Sequence, residues 1–209
     1  MKVSFFSKTL IFICALSLIA PAYTQDAAKP AKLNTPHQVV EKTTEKLMSV
    51  VKAHQGTYEA NPDKYFDEVE SVLDPVIDFS FIAKSVMGPY WKTASAEQQE
   101  KFTKTFKRGL VNTYAKGMAK FNDLKIEVVP PEEAVPEFGT VTVVQKVSAA
   151  DGVNRVAYKM GRKKSGGDWM LINVVLDGVN LGKTFRSQFA QAVKEHEGNL
   201  DAAIAGWSS

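Results

Sequence analysis

The chain carries one cysteine and three histidines in 209 residues, and nearly equal numbers of basic and acidic side chains. Each scarcity removes a class of function. Cys14 alone cannot close a disulfide within the chain or build a Cys-based metal site. His37, His54 and His196 stand far apart, none at metal-ligand spacing from another, and read as solvated or capping residues. The 26 basic against 23 acidic residues leave a small positive excess, whereas a grip on nucleic acid needs a strongly basic face. No apolar run reaches the roughly 20 residues of a membrane-spanning helix.

The longest such run lies at the start. Lys2 and Lys8 give a positive beginning, Thr9 to Ile19 is almost wholly apolar, and Ala20-Pro21-Ala22 supplies small residues where signal peptidase cuts. Residues 1–22 are therefore expected to be a cleaved secretory signal. A lipidated start does not fit, because bulky Phe12 and Ile13 precede Cys14. Cleavage removes that cysteine with both lysines, leaving 24 basic against 23 acidic residues. Residues 23–34, rich in Ala, Lys and Pro, read as a flexible leader. Residues 35–209 read as one domain, large enough to bury roughly 70% of its unfolded surface.

The first half of that domain has helical period. Thr35-Pro36-His37-Gln38 is a capping box with proline at the first helical position, and Val40, Leu47 and Val51 then share a face. Asn61-Pro62 opens a second helix, with Tyr65, Phe66, Val69, Val72, Leu73 and Val76 at near 3.6 spacing. Asp78 caps a third, which stops at Gly88-Pro89. Behind a second capping box, Ser95 to Gln98, the residues Phe102, Phe106, Leu110, Tyr114, Met118 and Phe121 recur every three or four positions. Gly109 and Gly117 weaken that helix.

After Pro130, Pro131 and Pro136 the period changes to two. Leu124 to Val128, Val141 to Val147 and Val156 to Met160 alternate, and Trp169 to Leu176 is nearly continuous apolar, as in a strand covered on both faces. Asp151-Gly152 and Ser165-Gly166-Gly167 are turns between these runs. A helix with Phe185, Phe189 and Val193 on one face follows Asp177-Gly178, and Leu200, Ile204 and Trp207 suggest a short last one. The expected fold class is α+β, four antiparallel strands behind a cluster of helices.

Chemical machinery is sparse. Gly178-Val-Asn-Leu-Gly182-Lys183-Thr184 resembles a phosphate-binding loop, but it has three residues between its glycines where the loop needs four. Asp74 and Asp78 could share a face and form an acid–base pair; helix-terminal roles explain them more simply. Arg162-Lys163-Lys164 makes a basic hairpin tip, either a solvated turn or a contact for an acidic partner or anionic head group. An aromatic stripe such as that from Phe102 to Phe121 is on general grounds more often protein core than ligand wall, and period does not distinguish the two. From the residues alone the chain is an exported α+β domain, with an apolar-ligand binder, an enzyme or an interaction module still open.

Several strings taken in order are more specific. Ala60-Asn-Pro-Asp63 is followed by Asp78-Phe79-x-x-Ile82-Ala83-x-x-Val86-Met87-Gly88-x-Tyr90-Trp91, then Ala94-Ser-x-Glu-Gln98, Phe102, Phe106, Leu110 and Tyr114. Late in the chain stand Trp169-Met-Leu-Ile-Asn173-Val and Asp177-Gly178-Val179-Asn180-Leu181. In order and spacing these resemble the MlaC family of phospholipid-binding proteins, also called the toluene-tolerance auxiliary family, over about residues 35–205. Two departures stand out: Asn173 where the family usually has Asp, and Asn180 where it usually has Ser.

The resemblance implies an NTF2-like cone, a curved sheet wrapped by helices around a deep apolar pocket. It implies a periplasmic carrier without catalysis or cofactor, its cargo a phospholipid. The implied partners are an outer-membrane lipoprotein complex and the MCE-domain subunit of an inner-membrane ABC lipid transporter; nucleic acid is not among them, and a monomer is expected. Expected pocket walls are Phe79, Ile82, Phe102, Phe106, Leu110 and Tyr114 from helices, and Val143, Tyr158, Met160, Val174 and Val179 from the sheet. The competing expectations are an NTF2-like isomerase using Asp74 or Asp78 as base, and an interaction module without a small ligand.

Overall fold

A computed structural model describes residues 34–119, 124–149 and 152–207. The expected signal, all of the leader but its last residue, and the stripe's Phe121 lie outside the described residues.

Six α-helices form among these residues, and local chemistry starts most of them. Helix α1 (Pro36–Ala53) opens on the expected capping box: Gln38 N donates to Thr35 Oγ1 at 3.2 Å, and Thr35 N donates to Gln38 Oε1 at 3.0 Å. Asn61 caps α2 (Pro62–Leu73) and Asp78 caps α3 (Phe79–Met87), each accepting a first-turn backbone N–H. The Ser95–Gln98 box starts α4 (Ala96–Ala119), which stays helical through Gly109 and Gly117. Helices α5 (Leu181–Glu195) and α6 (Leu200–Ala205) end the described chain.

The sheet contains β1 (Lys125–Val128), β2 (Gly139–Ala149), β3 (Gly152–Arg162), β4 (Met170–Leu176) and β5 (Val179–Asn180), antiparallel and in sequence order. The expected four strands become five. The added strand is a two-residue pairing against Val175 and Leu176, made possible by Asp177 and Gly178, whose φ values of 46° and 84° turn the chain tightly back. Two residues are too few for an alternation to be visible in sequence.

Register fixes what faces inward. Val143 pairs with Tyr158 and Tyr158 with Val174, while Val141 pairs with Met160 and Met160 with Leu171. A bulge at Lys159/Met160 brings Leu171 into that inner row. On the opposite face α5 packs against β4, so every β4 residue is half-buried.

The buried side chains divide into three clusters. One joins α3, α4, α5 and α6 around Phe102, Phe106, Phe189 and Ile204. A second joins α1, α2 and α4 around Val51, Tyr65, Phe66, Val69 and Val111. The third holds the front of α1 on the sheet through Val40, Val143, Met160 and Trp169. Helix α4 thus serves two cores, and its buried stripe drifts from Phe102 and Phe106 to Val111 and Ala115. Tyr65 Oη donates to Ala115 O at 2.9 Å, tying α2 to α4 inside the second core.

Candidate functional site

The front of α1 presents Val39, Val40, Thr43, Thr44 and Leu47, neighbours at helical spacing, toward the inner sheet face. Tyr158, Met160 and Leu171 come from the sheet, and Leu73, Val76 and Ile77 from the end of α2 and the segment after it. That segment is fastened to β4: Asp78 N donates to Leu171 O at 3.0 Å, and Leu171 N donates to Val76 O at 2.8 Å. Between these three walls lies an apolar cavity of about 80 Å³. It sits where the second and third cores meet, since Leu47 and Leu73 pack with one and Val39 and Tyr158 with the other.

One polar chain runs beside it. Tyr158 Oη donates to Gln145 Oε1 at 2.9 Å, Gln145 Nε2 donates to Thr44 Oγ1 at 2.8 Å, and Thr44 Oγ1 donates to Val40 O at 2.9 Å. Gln145 is only 3% exposed, and a buried amide without partners would be costly. Burial also pushes the Tyr158 phenol up to about 12, because the phenolate would be stranded away from water.

Of the expected wall residues, Tyr158 and Met160 line the cavity. Val143 and Val174 flank Tyr158 in the same row, and Val179 shares that face at the sheet edge with 54% of its surface exposed. The helical set goes elsewhere. Phe102 and Phe106 are fully buried in the helical core, with the Phe102 ring 4.6 Å from Phe189 and the Phe106 ring 5.6 Å from Phe185. Ile82 and Leu110 pack on that same core. Phe79 is buried under the Lys107 ammonium, 5.5 Å from its ring, and Tyr114 is 42% exposed. Sequence reading missed the α1 contribution, although Val40 and Leu47 were visible as one face. It also missed Gln145, whose signal was a polar residue at an inward position between Val143 and Val147.

The basic tip is a turn in which Gly166 N donates to Lys163 O at 3.0 Å and Arg162 Nε donates to Gly167 O at 2.8 Å. Lys164 lies over the exposed Phe138 ring, 5.8 Å from its centre. The carboxylates considered for catalysis are engaged elsewhere. Asp74 pairs with Lys107 at 2.6 Å, and Glu70 with the same ammonium at 2.9 Å. Burial alone would lower the Lys107 pKa, but the hydrogen bonds that its ammonium donates to both carboxylates, with their negative charge, outweigh it and raise the value. Asp78 Oδ1 caps α3 by accepting from Phe81 N at 2.9 Å. At the phosphate-loop-like string the first amides of α5 are taken: Gly182 N donates to Asn173 Oδ1 and Lys183 N to Asn180 Oδ1. Among the described residues no group of three His, Cys, Asp or Glu side chains is placed to hold a metal. A larger open groove along α1 and α2 is lined by Lys46, Asp63, Lys64, Asp67 and Glu68. Its charges make it a poor host for an apolar ligand.

A family model described as MlaC protein matches residues 41–209. The toluene tolerance protein ttg2D of Pseudomonas putida is 36% identical over 176 residues, covering 83% of this chain and 80% of that protein. The intermembrane phospholipid transport system binding protein MlaC of Haemophilus influenzae is 26% identical over 149 residues, 70% of this chain and 69% of the relative. A phospholipid-binding protein of Ralstonia solanacearum, solved in complex with a phospholipid, shares the fold: TM-score 0.73 at 22% identity, covering 82% of this chain and 94% of that one.

Proposed function

Because this chain belongs to the MlaC family, we propose that it is a periplasmic phospholipid carrier that shields acyl chains between α1 and the inner sheet face. The observation that carries the reading to this chain's own residues is the apolar cavity between α1, the 73–77 segment and the sheet.

Burial energy explains the need for such a protein. Two acyl chains hold roughly 30 methylenes, and at about 0.8 kcal/mol each their exposure to water costs on the order of 25 kcal/mol. A carrier must enclose the tails and can leave the head group wet. A cavity of about 80 Å³ is well below the roughly 300–1,000 Å³ of ligand-sized pockets, so loading requires its walls to part. The division into separate cores permits this: α1 and the sheet can separate while the core around Phe102 and Phe189 stays packed.

The carrier shuttles lipid between an outer-membrane Mla lipoprotein complex and the MCE-domain subunit of an inner-membrane ABC transporter, maintaining outer-membrane lipid asymmetry. It acts as a secreted monomer, without cofactor or catalysis. The engagement of Asp74 with Lys107 and of Asp78 with the α3 cap argues against the isomerase reading. The test is what the protein holds after export: solvent extraction and mass spectrometry of material isolated from the periplasm should recover phospholipid near stoichiometry. Protein recovered without phospholipid, and taking none from vesicles, would refute the proposal.

A further inference from the structure

The Thr44–Gln145–Tyr158 chain sets the buried amide of Gln145 beside the apolar cavity, hydrogen-bonded to two residues that line it. Its three members come from α1, β2 and β3. Tyr158 and Gln145 are both on the sheet, and the phenol hydroxyl, bound to Gln145 Oε1, leaves Nε2 turned toward the helix. Thr44 gives its own proton to Val40 O, so its oxygen is free to accept from Gln145. Donor and acceptor match at every link. Only the Gln145–Thr44 link spans helix and sheet.

We infer that this Gln145–Thr44 hydrogen bond is a latch that lowers lipid affinity, with Tyr158 as the positioning residue that orients the amide. The inference rests on the carrier reading. The two polar atoms are 2.8 Å apart. A hydrocarbon chain passing between α1 and the sheet needs a contact distance of about 3.5–4.0 Å on each side of itself. The bond cannot survive that separation. Loading therefore breaks it and leaves the Gln145 N–H facing hydrocarbon, where no acceptor exists. The closed conformation is favoured by the bond and the loaded one is penalised by the stranded amide. The value of this to a carrier is release: burial of two tails would otherwise hold the lipid too tightly to surrender.

By linkage, whatever weakens only the closed conformation raises apparent affinity. Thr44→Val removes the acceptor, so the closed form loses the bond that loading would have broken. Gln145→Met with Tyr158→Phe replaces bond and amide with apolar groups of similar size. Thr44→Ser keeps the hydroxyl and serves as the conservative rescue. One hydrogen bond of ordinary net strength with the desolvation of its donor corresponds to roughly a tenfold change in binding.

The experiment measures uptake and release of an acyl-labelled fluorescent phosphatidylglycerol, exchanged between phosphatidylcholine vesicles and the full mature chain. Thr44→Val and the Gln145→Met/Tyr158→Phe protein should each hold the probe about tenfold more tightly and release it correspondingly more slowly, while Thr44→Ser matches wild type. Unchanged binding in both apolar variants would overturn the latch and leave the carrier intact, because the bond would then persist in the loaded protein. Weaker binding in both would overturn it as well, since the polar chain would be holding the lipid. Failure of every protein, wild type included, to take up the probe would overturn the carrier reading and the latch together.

Discussion

The side-chain amide of Asn173 donates to Asn180 Oδ1 at 3.1 Å, bridging β4 to the residue that caps α5. The same Asn180 oxygen accepts from Lys183 N at 3.0 Å, and Asn173 Oδ1 accepts from Gly182 N at 3.1 Å. The two residues expected from the sequence to depart from the family pattern are thus partners. A Cβ at Gly182 would stand 2.5 Å from Asn173 Oδ1, so the close approach requires glycine there.

Asn173→Asp should destabilise the fold, because a carboxylate cannot donate and would set two oxygens against each other. The expected loss is about 1–3 kcal/mol, at about 2–4 °C of Tm per kcal/mol for a domain of this size. Adding Asn180→Ser should restore most of it, since a serine hydroxyl can donate to the aspartate while its oxygen caps the helix. Thermal unfolding of the two single variants and the double variant measures the coupling; additive losses would contradict it.

Phe106 tests the helical core. It is fully buried and ringed by Phe102, Phe185 and Trp207. Phe106→Asp buries an unpaired charge costing several kcal/mol and should abolish accumulation of folded protein. Phe106→Leu should cost roughly 0.5–3 kcal/mol and leave phospholipid content unchanged. Circular dichroism and lipid mass spectrometry on one preparation decide it: a well-folded Asp variant depleted of lipid would instead place this residue on the lipid wall.

Val76 tests the cavity. It is half-buried, on the segment fastened to Leu171, and lines the space between α1 and the sheet. Val76→Asp should fold, because the carboxylate can reach water, yet reduce phospholipid uptake at least about tenfold through the cost of setting a charge against hydrocarbon. Normal uptake by folded Val76→Asp would exclude this cavity as the lipid site.

Tyr158 gives a pH dependence with a definite sign. Its pKa rises from 10.0 to about 12 in the folded protein through burial. The unfolded chain therefore loses this proton first as pH rises. The contribution is fully present below about pH 10 and is lost between 10 and 12, on the order of 2–3 kcal/mol. Urea midpoints at pH 9 and pH 11.5 should fall less in Tyr158→Phe than in wild type. Equal falls would show that the phenol is not the group responsible.

Much of the fold was legible because its signals are local. Thr35 with Gln38, Ser95 with Gln98, and Asp78 mark helix starts through bonds spanning three residues, and those bonds form as read. The alternations around Val143, Tyr158 and Met160 correctly put these residues on one face. The environment of that face was less legible. Period identifies the buried side of α4 but not what covers it, so Phe102 and Phe106 could not be told from a ligand wall before Phe189 and Trp207 were seen against them. The cavity depends on Thr44, Ile77 and Leu171 meeting, and no local pattern in the chain encodes that meeting.

Strand order has a further consequence for how the chain acquires its shape. Every strand pairs with its neighbour in sequence, so the sheet can zip up through short loop closures, the arrangement that favours rapid folding. The seat of α1 on that sheet is different in kind. Gln145 reaches Thr44 across 101 residues, and the loop-closure entropy of so long a span is recovered only when the whole interface forms. The wall that parts for a lipid under the proposed carrier function is thus joined by the contacts expected to form last in folding.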